Sequence, residues 1–130
     1  MSFGFSPSDI ALVITLAVKA YTDYTKSARE FEELAEDIDS FKATLEQARL
    51  VFIRNRPNAQ QSEALNQLYT RSKNLLEDLN DFCKGYASLG STKQRKWDRL
   101  RWSPSDADEF RKRIRDQRGT WNFHISCIIR

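Results

Sequence analysis

Few residues of this chain are suited to covalent chemistry. Among its 130 residues are two cysteines, Cys83 and Cys127, and one histidine, His124. Cys83 with His124 is the combination of a nucleophile and a base that the sequence offers, and a catalytic cysteine needs such a partner together with partial exposure. Cys83, however, lies beside a stripe of apolar residues, and His124 lies near the end of the chain. We therefore predict a structural cysteine, a surface histidine and no enzymatic activity.

Sites for metals and cofactors are not expected either. The cysteines have no CxxC spacing and no company of metal ligands, which favours a pair of reduced thiols in the cytoplasm. Four scattered glycines do not form a phosphate-binding loop. The acidic residues between positions 30 and 39 have the spacing of a solvated helix face rather than of a catalytic carboxylate pair. We predict no bound metal and no cofactor.

The positive charge of the chain is concentrated in its last third. Residues 1–90 carry ten basic and thirteen acidic residues, whereas residues 91–130 carry eleven basic and five acidic ones. This region begins with a basic stretch that contains two tryptophans: Lys93, Arg95, Lys96, Trp97, Arg99, Arg101 and Trp102.

Two interpretations of this basic stretch remain open. Either it is a solvated turn whose tryptophans pack onto the rest of the domain, or its cations meet an anionic surface with the tryptophans at the interface. Each cation near an anionic bilayer contributes about 1 kcal/mol, so the stretch would concentrate the protein on a membrane. Binding to nucleic acid is not expected, because no recognisable reader motif accompanies the charges.

The elements that would position these residues are helices. Only four glycines and three prolines interrupt the chain, and no alternating strand pattern is sustained. Apolar spacing predicts helices over 6–26, 28–54, 59–87 and 104–127, with a basic connector over 91–103 that could form a short fifth helix. Ser6 with Pro7 is typical of a helix start, and Pro57 of a helix end. We predict one all-α domain, an antiparallel up-down bundle of four or five helices.

Each predicted helix has one apolar stripe that should form the core. The stripes consist of Ile10, Val13, Ile14, Ala17, Ala20, Tyr21 and Tyr24; Phe31, Leu34, Ala35, Ile38, Phe41, Leu45, Ala48 and Phe52; Leu65, Leu68, Ser72, Leu75, Leu79, Phe82 and Tyr86; and Ala107, Phe110, Ile114, Trp121, Ile125 and Ile128.

The first helix differs from the others, because the run from Ile10 to Val18 is apolar on almost every side. Beyond the core stripe, Leu12, Leu16 and Val18 remain on the other side. A helix of this kind must be surrounded by protein or transferred to lipid. Nine residues span about 13 Å against a hydrocarbon core of about 30 Å, so it is not an ordinary transmembrane helix. No signal peptide is evident at the start of the chain.

Two segments resemble a known domain family. They are the opening Met1-Ser2-Phe3-Gly4-Phe5-Ser6-Pro7-Ser8-Asp9-Ile10 with the run to Tyr21, and Trp97-Asp98-Arg99-Leu100-Arg101-Trp102 before an acid-capped final helix. Over residues 1 to about 118 the chain resembles the HeLo-like N-terminal domain of fungal STAND proteins, the NLR-type receptors; residues 119–130 depart from that pattern.

The resemblance implies a four-helix bundle ahead of a nucleotide-binding oligomerisation module, acting in innate immunity and regulated cell death. It also implies a membrane-engaging and oligomerising helix, whose residues here are Phe3, Phe5, Ile10, Leu12, Val13, Ile14 and Leu16. The expected partners are further copies of the chain, anionic membrane lipids and such a nucleotide-binding module in a longer chain.

The resulting functional expectation is a non-enzymatic signalling domain, cytoplasmic at rest and recruited to the membrane on activation. The alternative is a protein-interaction or adaptor module without membrane activity, in which the acidic face of the second helix meets the basic last third of a neighbour. Whether residues 1–130 are an excised domain or a whole protein is left open.

Overall fold

A computed structural model of the chain describes residues 7–25, 32–88 and 104–129, with side chains for positions 8–24, 32–82 and 107–129. It contains four helices: α1 (Pro7–Thr25), α2 (Glu32–Arg54), α3 (Ala59–Ser88) and α4 (Pro104–Ile128). In these ranges there is no strand, and the helices pack on one another as a bundle, which confirms the predicted all-α fold. The predicted start of the second helix at 28 and the optional fifth helix lie outside the described residues.

The connection between α2 and α3 is defined by local polar contacts. The Asn58 backbone N–H donates to the Gln61 side-chain oxygen (2.9 Å), and the Gln61 N–H donates to Asn58 Oδ1 (2.8 Å). This reciprocal arrangement is a capping box, which satisfies two N–H groups at the start of a helix. Pro57 lies just before it and ends the preceding helix because proline has no N–H to donate. Pro57 and the capping box together therefore define where α2 ends and α3 begins.

The four helices are arranged so that the second and third lie across the bundle from each other. Close backbone contacts join α1 to α2 and α3, and they join α4 to α2 and α3. A short connection favours side-by-side neighbours. Here the chain instead crosses the bundle between α2 and α3, and α1 and α4 occupy the two spaces on either side.

Contacts between α2 and α4 show that these two helices run in the same direction. Near the start of both helices, Arg111 binds Asp37 at 2.9 Å. Farther along both helices, the Trp121 and Phe52 rings lie 6.4 Å apart. The C-terminal halves of α2 and α4 therefore lie at the same end of the bundle.

Contacts between α3 and α4 show that these two helices run in opposite directions. Arg113 binds Asp78 at 3.2 Å, and Trp121, farther along α4, donates its indole N–H to Ser72 Oγ, earlier in α3, at 2.9 Å. Ser72 and Trp121 are both fully buried. A buried indole N–H without an acceptor would be costly, which explains a serine within the apolar stripe of α3.

The predicted stripes form the core wherever their side chains are described. Most members are fully buried, and Ile14, Tyr21, Phe82, Phe110 and Ile128 are half-buried against them. Phe31 and Tyr86 lie outside the described side chains. Asn80 on α3 is a buried polar residue that was not predicted, and its Oδ1 has no hydrogen-bond partner among the described atoms.

Candidate functional site

Helix α1, the predicted membrane-engaging element, is held in the bundle by a regular inner face. Residues three, seven, ten and fourteen positions after Ile10 are buried with it, and side chains at such spacings share one face of a helix. This face consists of Ile10, Val13, Ala17, Ala20 and Tyr24. The alanines allow the α1 backbone to come close to its neighbours. In this state the most apolar part of α1 is covered by protein.

The outer face of α1 carries three exposed polar residues, Thr15, Lys19 and Thr22. Of these, Thr15 lies within the apolar run from Ile10 to Val18, and the other two follow it. Leu12 and Val18 are the exposed large apolar side chains of α1, at 46% and 43% of their surface. They lie on opposite flanks of the polar face, because their positions differ by six residues.

Leu16 does not share the exposure of Leu12. It is half-buried and packs against the core, although the sequence analysis grouped the two leucines on one side. Four residues correspond to about 400° of rotation, which turns Leu16 by about 40° toward the inner face. Of the two, Leu12 alone is half-exposed for an intermolecular contact in this state.

The hydroxyl groups of Thr15 and Thr22 on α1 are satisfied within the helix. Thr15 Oγ1 donates to the Ala11 carbonyl at 3.0 Å, and Thr22 Oγ1 donates to the Val18 carbonyl at 2.9 Å. A hydroxyl bonded to the carbonyl four residues earlier does not depend on water for its hydrogen bond. These two threonines therefore add less to the cost of moving α1 into an apolar environment than their polarity suggests.

A buried hydrogen bond fixes the C-terminal end of α1 to α3. Tyr24 is 1% exposed, and its hydroxyl donates to the Leu79 carbonyl at 2.8 Å. Tyr24 was predicted as a core residue, but its polar contact was not predicted. Such a bond fixes the position of α1 along its axis relative to α3 more strictly than apolar contacts alone do.

The seven residues carried over from the family resemblance do not form one exposed surface here. Ile10 and Val13 point into the core, Ile14 and Leu16 are half-buried, and Leu12 is half-exposed. Phe3 and Phe5 lie outside the described residues. Within the described ranges, no helix combines the length and the apolar character that a bilayer crossing requires.

The predicted anionic-surface patch lies entirely outside the described residues. It consists of Lys93, Arg95, Lys96, Trp97, Arg99, Arg101 and Trp102. Its two interpretations therefore stay predictions.

Of the residues first considered for covalent chemistry, Cys83 lies on α3, whereas His124 and Cys127 lie one helical turn apart on α4. His124 is half-buried on α4, its ring 5.6 Å from that of Phe123, and burial lowers its pKa. Cys127 is a free, half-buried thiol, and the Cys83 side chain lies outside the described positions. In the described part of the chain, no three metal-binding side chains come together.

An ion-pair cluster between α2 and α4 was not predicted. Arg111 donates from Nε to Asp37 Oδ2 (2.9 Å) and from Nη1 to Glu33 Oε2 (2.6 Å), and Arg115 approaches Asp37 at 3.6 Å. The hydrogen bond to Asp37 raises the pKa of Arg111, partly opposed by burial and aided by the surrounding carboxylates. The acids of α2 and the cations of α4 are thus partly matched within one chain. The only sign of this ion-pair cluster in the sequence was the uneven distribution of charge along the chain.

A small groove lies between α3 and α4. It has a volume of about 240 Å³ and is lined by Phe82, Glu109, Phe110 and Arg113. The Phe82 and Phe110 rings are 5.5 Å apart, and Arg113 lies 5.5 Å over the Phe110 ring. Ligand pockets usually exceed about 300 Å³ and contain converging polar groups. The described lining of this groove is an aromatic contact between α3 and α4 with a cation over one of the rings.

Several apolar side chains are exposed toward one end of the bundle. They are Leu50 and Ile53 on α2, Phe123 on α4 and Ile129 directly after α4, each more than half exposed. Because α2 and α4 run in the same direction, all four lie in the half of the bundle where these helices end. Apolar side chains collected in one region are more typical of a contact surface than singly scattered ones.

Comparison of the chain with protein-family profiles, with curated proteins and with solved structures gives no match.

Proposed function

We propose that this chain is a non-enzymatic signalling domain that acts by self-association followed by membrane engagement of α1. The observation that carries the proposal is the character of α1. Its nineteen residues include only Asp9, Lys19 and Asp23 as charged groups, and its inner face is continuously apolar. The similarity of the opening residues to HeLo-like domains of fungal NLR-type receptors supports the same role, in innate immunity or regulated cell death.

Energetics make clustering the step that precedes release of α1. Exposing side chains such as Ile10, Val13 and Tyr24 to water costs about 1.5–3 kcal/mol each, so release alone costs a large part of a typical domain stability of about 5–15 kcal/mol. Lipid or other copies of α1 must cover this face in return. Lys19 at the centre of a bilayer costs about 2.5–3.5 kcal/mol, a cost that falls when several copies share a polar lumen.

The outer face of α1 opposes this role less than its polar residues suggest. Thr15 and Thr22 satisfy their hydroxyls internally, and Leu12 and Val18 already present apolar surface. The basic stretch around Lys93 to Arg101 would add attraction to an anionic leaflet. Engagement of α1 at the surface of the bilayer or in a multi-helix assembly fits a helix that is too polar to cross alone.

A second candidate is an adaptor module that binds other proteins without lipid. The exposed apolar side chains outside α1 favour it: Leu50 and Ile53 on α2, Phe123 on α4 and Ile129 directly after α4. In this case self-association or partner binding would be complete without any change in α1.

Leakage of vesicles by forced oligomers tests the membrane step. The chain is fused to a trimeric or tetrameric coiled coil and added to dye-filled vesicles containing phosphatidylserine. We expect leakage from the fusion and none from the monomer. Leu12→Glu with Val18→Glu should abolish the leakage by adding charge to α1. Both side chains are exposed in the bundle, so the variant should fold.

Leu50→Glu with Ile53→Glu is the matched control, since it places the same two charges at exposed apolar positions on α2. It should leave leakage by the fusion unchanged. Absence of leakage from the fusion, or equal leakage from the α1 variant, would overturn the membrane step and favour the adaptor. Circular dichroism of each variant establishes that the bundle is intact.

A further inference from the structure

The outward side of α2 carries a ridge with two different ends. Its members are spaced by three, four or seven positions, so they follow one line along the helix, and all are exposed: Glu32, Glu36, Asp39, Ala43 and Leu50. Among the described residues, Glu32 and Glu36 have no cation within ion-pair distance, and Asp39 lies 3.7 Å from Lys42. The α2 ridge is therefore acidic at its start and apolar at Leu50, which is 59% exposed.

The outward side of α4 carries a ridge with the opposite charge. Its members are Lys112, Arg115, Gly119 and Phe123, all exposed. Lys112 has no carboxylate within ion-pair distance in the described ranges, and Arg115 makes one long contact, 3.6 Å from Asp37. Around Gly119 nothing lies within 4 Å of the position of an added Cβ atom, so the middle of the α4 ridge is open. Phe123 is 63% exposed at its other end.

The charged ends of the two ridges match in a single parallel register. Glu36 and Asp39 on α2 are three residues apart. Lys112 and Arg115 on α4 have the same spacing, so placing Lys112 beside Glu36 also places Arg115 beside Asp39. Both juxtapositions pair opposite charges. Within one chain α2 and α4 already pack in the same direction with an arginine on a carboxylate, so this kind of pairing has a precedent in the molecule.

The same register also matches the uncharged ends. It sets Gly119 beside Ala43, which are the two smallest side chains on the ridges and let two helices approach closely. It sets Phe123 beside Gln47, one helical turn from Leu50. Phe123 and Leu50 have the highest exposed fractions among the large apolar side chains described, and this contact would cover both.

We propose that the α4 ridge of one copy of this chain docks in parallel on the α2 ridge of a second copy. The inference rests on the self-association in the proposed function and names the surface that performs it. The two ridges differ, and each copy carries both. A copy can therefore bind one neighbour through its α2 ridge and another through its α4 ridge, which is a head-to-tail contact. Head-to-tail contacts build rings or open chains rather than closed dimers, which suits a domain that must cluster.

The occupant is a second copy because the register that pairs both cations of the α4 ridge with acids of the α2 ridge also brings Gly119 to Ala43 and Phe123 to within a helical turn of Leu50. An anionic bilayer would bind the cations of the α4 ridge but would be repelled by the acids of the α2 ridge. One unfavourable pair remains, since the register brings Asp108 near Glu32. Asp108→Lys should therefore strengthen the association.

Sedimentation velocity over a concentration series tests the contact. We expect association of the wild-type chain that weakens with salt, as exposed ion pairs do. Reversing the α2 ridge with Glu36→Lys and Asp39→Lys, or the α4 ridge with Lys112→Glu and Arg115→Glu, should each weaken it about ten-fold. An equimolar mixture of the two reversed variants should associate again, because every junction between them is complementary.

Rescue on mixing separates a docking surface from a general loss of folding. Lys19→Glu with Glu63→Lys serves as the matched control, because these exposed charges lie on α1 and α3, away from both ridges, and association should not change. Phe123→Ser should weaken association about ten-fold by removing the apolar end.

A chain that stays monomeric at all concentrations, or a mixture without rescue, would overturn the docking surface. The membrane step is judged separately, since the coiled-coil fusion imposes the oligomer. Leakage by the fusion with no ridge-dependent association would remove this inference alone. Association with rescue but no leakage would keep the ridges and remove the membrane step.

Discussion

Replacing Tyr24 by phenylalanine tests whether α1 is a separable part of the bundle. The change keeps the buried ring and removes the hydroxyl that donates to the Leu79 carbonyl at 2.8 Å. That carbonyl belongs to the interior of α3, where the helix supplies its own donor, so the loss is that of one hydrogen bond without an orphaned acceptor. We expect a cost of about 1 kcal/mol, which is a factor of about five in an opening equilibrium.

Hydrogen exchange measured by peptide shows where this cost appears. If α1 opens before the rest, its amides should exchange about five-fold faster in Tyr24→Phe, while those of α4 remain as protected as in the wild type. Ser72→Ala provides the matched control, because it removes the 2.9 Å acceptor of the buried Trp121 N–H on the α4 side of the core. Its effect should fall on α3 and α4.

Equal acceleration in α1 and α4 of Tyr24→Phe would refute the reasoning. It would mean that the four helices open only together, and a helix that never leaves its bundle does not engage a membrane. The proposed function would then reduce to an adaptor.

Three further predictions concern stability. Gly119→Ala should stabilise the chain by about 0.5–1 kcal/mol in urea unfolding at low protein concentration, since the site is helical with open space around it; destabilisation would contradict this. Asp37→Asn should cost about 1–2 kcal/mol, and more at low salt, because it weakens the contacts of Arg111 and Arg115; a salt-independent cost would contradict an ionic cause. Because burial lowers the pKa of His124 from 6.5, the unfolded chain binds more protons as pH falls through that value, and stability decreases on acidification. The melting temperature of the wild type should therefore fall more between about pH 7.5 and about pH 5 than that of His124→Gln; equal falls would contradict this.

Local patterns were sufficient to predict the helices. The α2 stripe from Leu34 to Phe52 steps by one, three and four, and it is buried throughout. Pro57 predicted the end of α2, and the spacing of Asn58 and Gln61 is a capping signal that the sequence analysis did not use. Helix positions depend on interactions within a few residues, which is why they are accessible from a single sequence.

Features that depend on contacts between distant residues were not predicted. A connection of four residues between α2 and α3 favours side-by-side neighbours, and only packing with α1 and α4 places these helices across the bundle. The ion pair of Arg111 with Asp37 joins residues 74 positions apart. Periodicity separates Leu12 and Leu16 by about 40° around α1, but which of the two is exposed depends on how α1 is turned against its neighbours.

The diagonal placement of α2 and α3 has a consequence for how the chain folds during synthesis. The pair formed by α1 and α2 is complete in sequence early, and it has an extensive contact of its own. When α3 emerges next, it finds its partner surface on α1, the helix made first, and not on the helix just before it. Translation therefore leaves one side of α2 without its neighbour until the last helix is made, and this interval is when a nascent chain is most exposed to wrong associations.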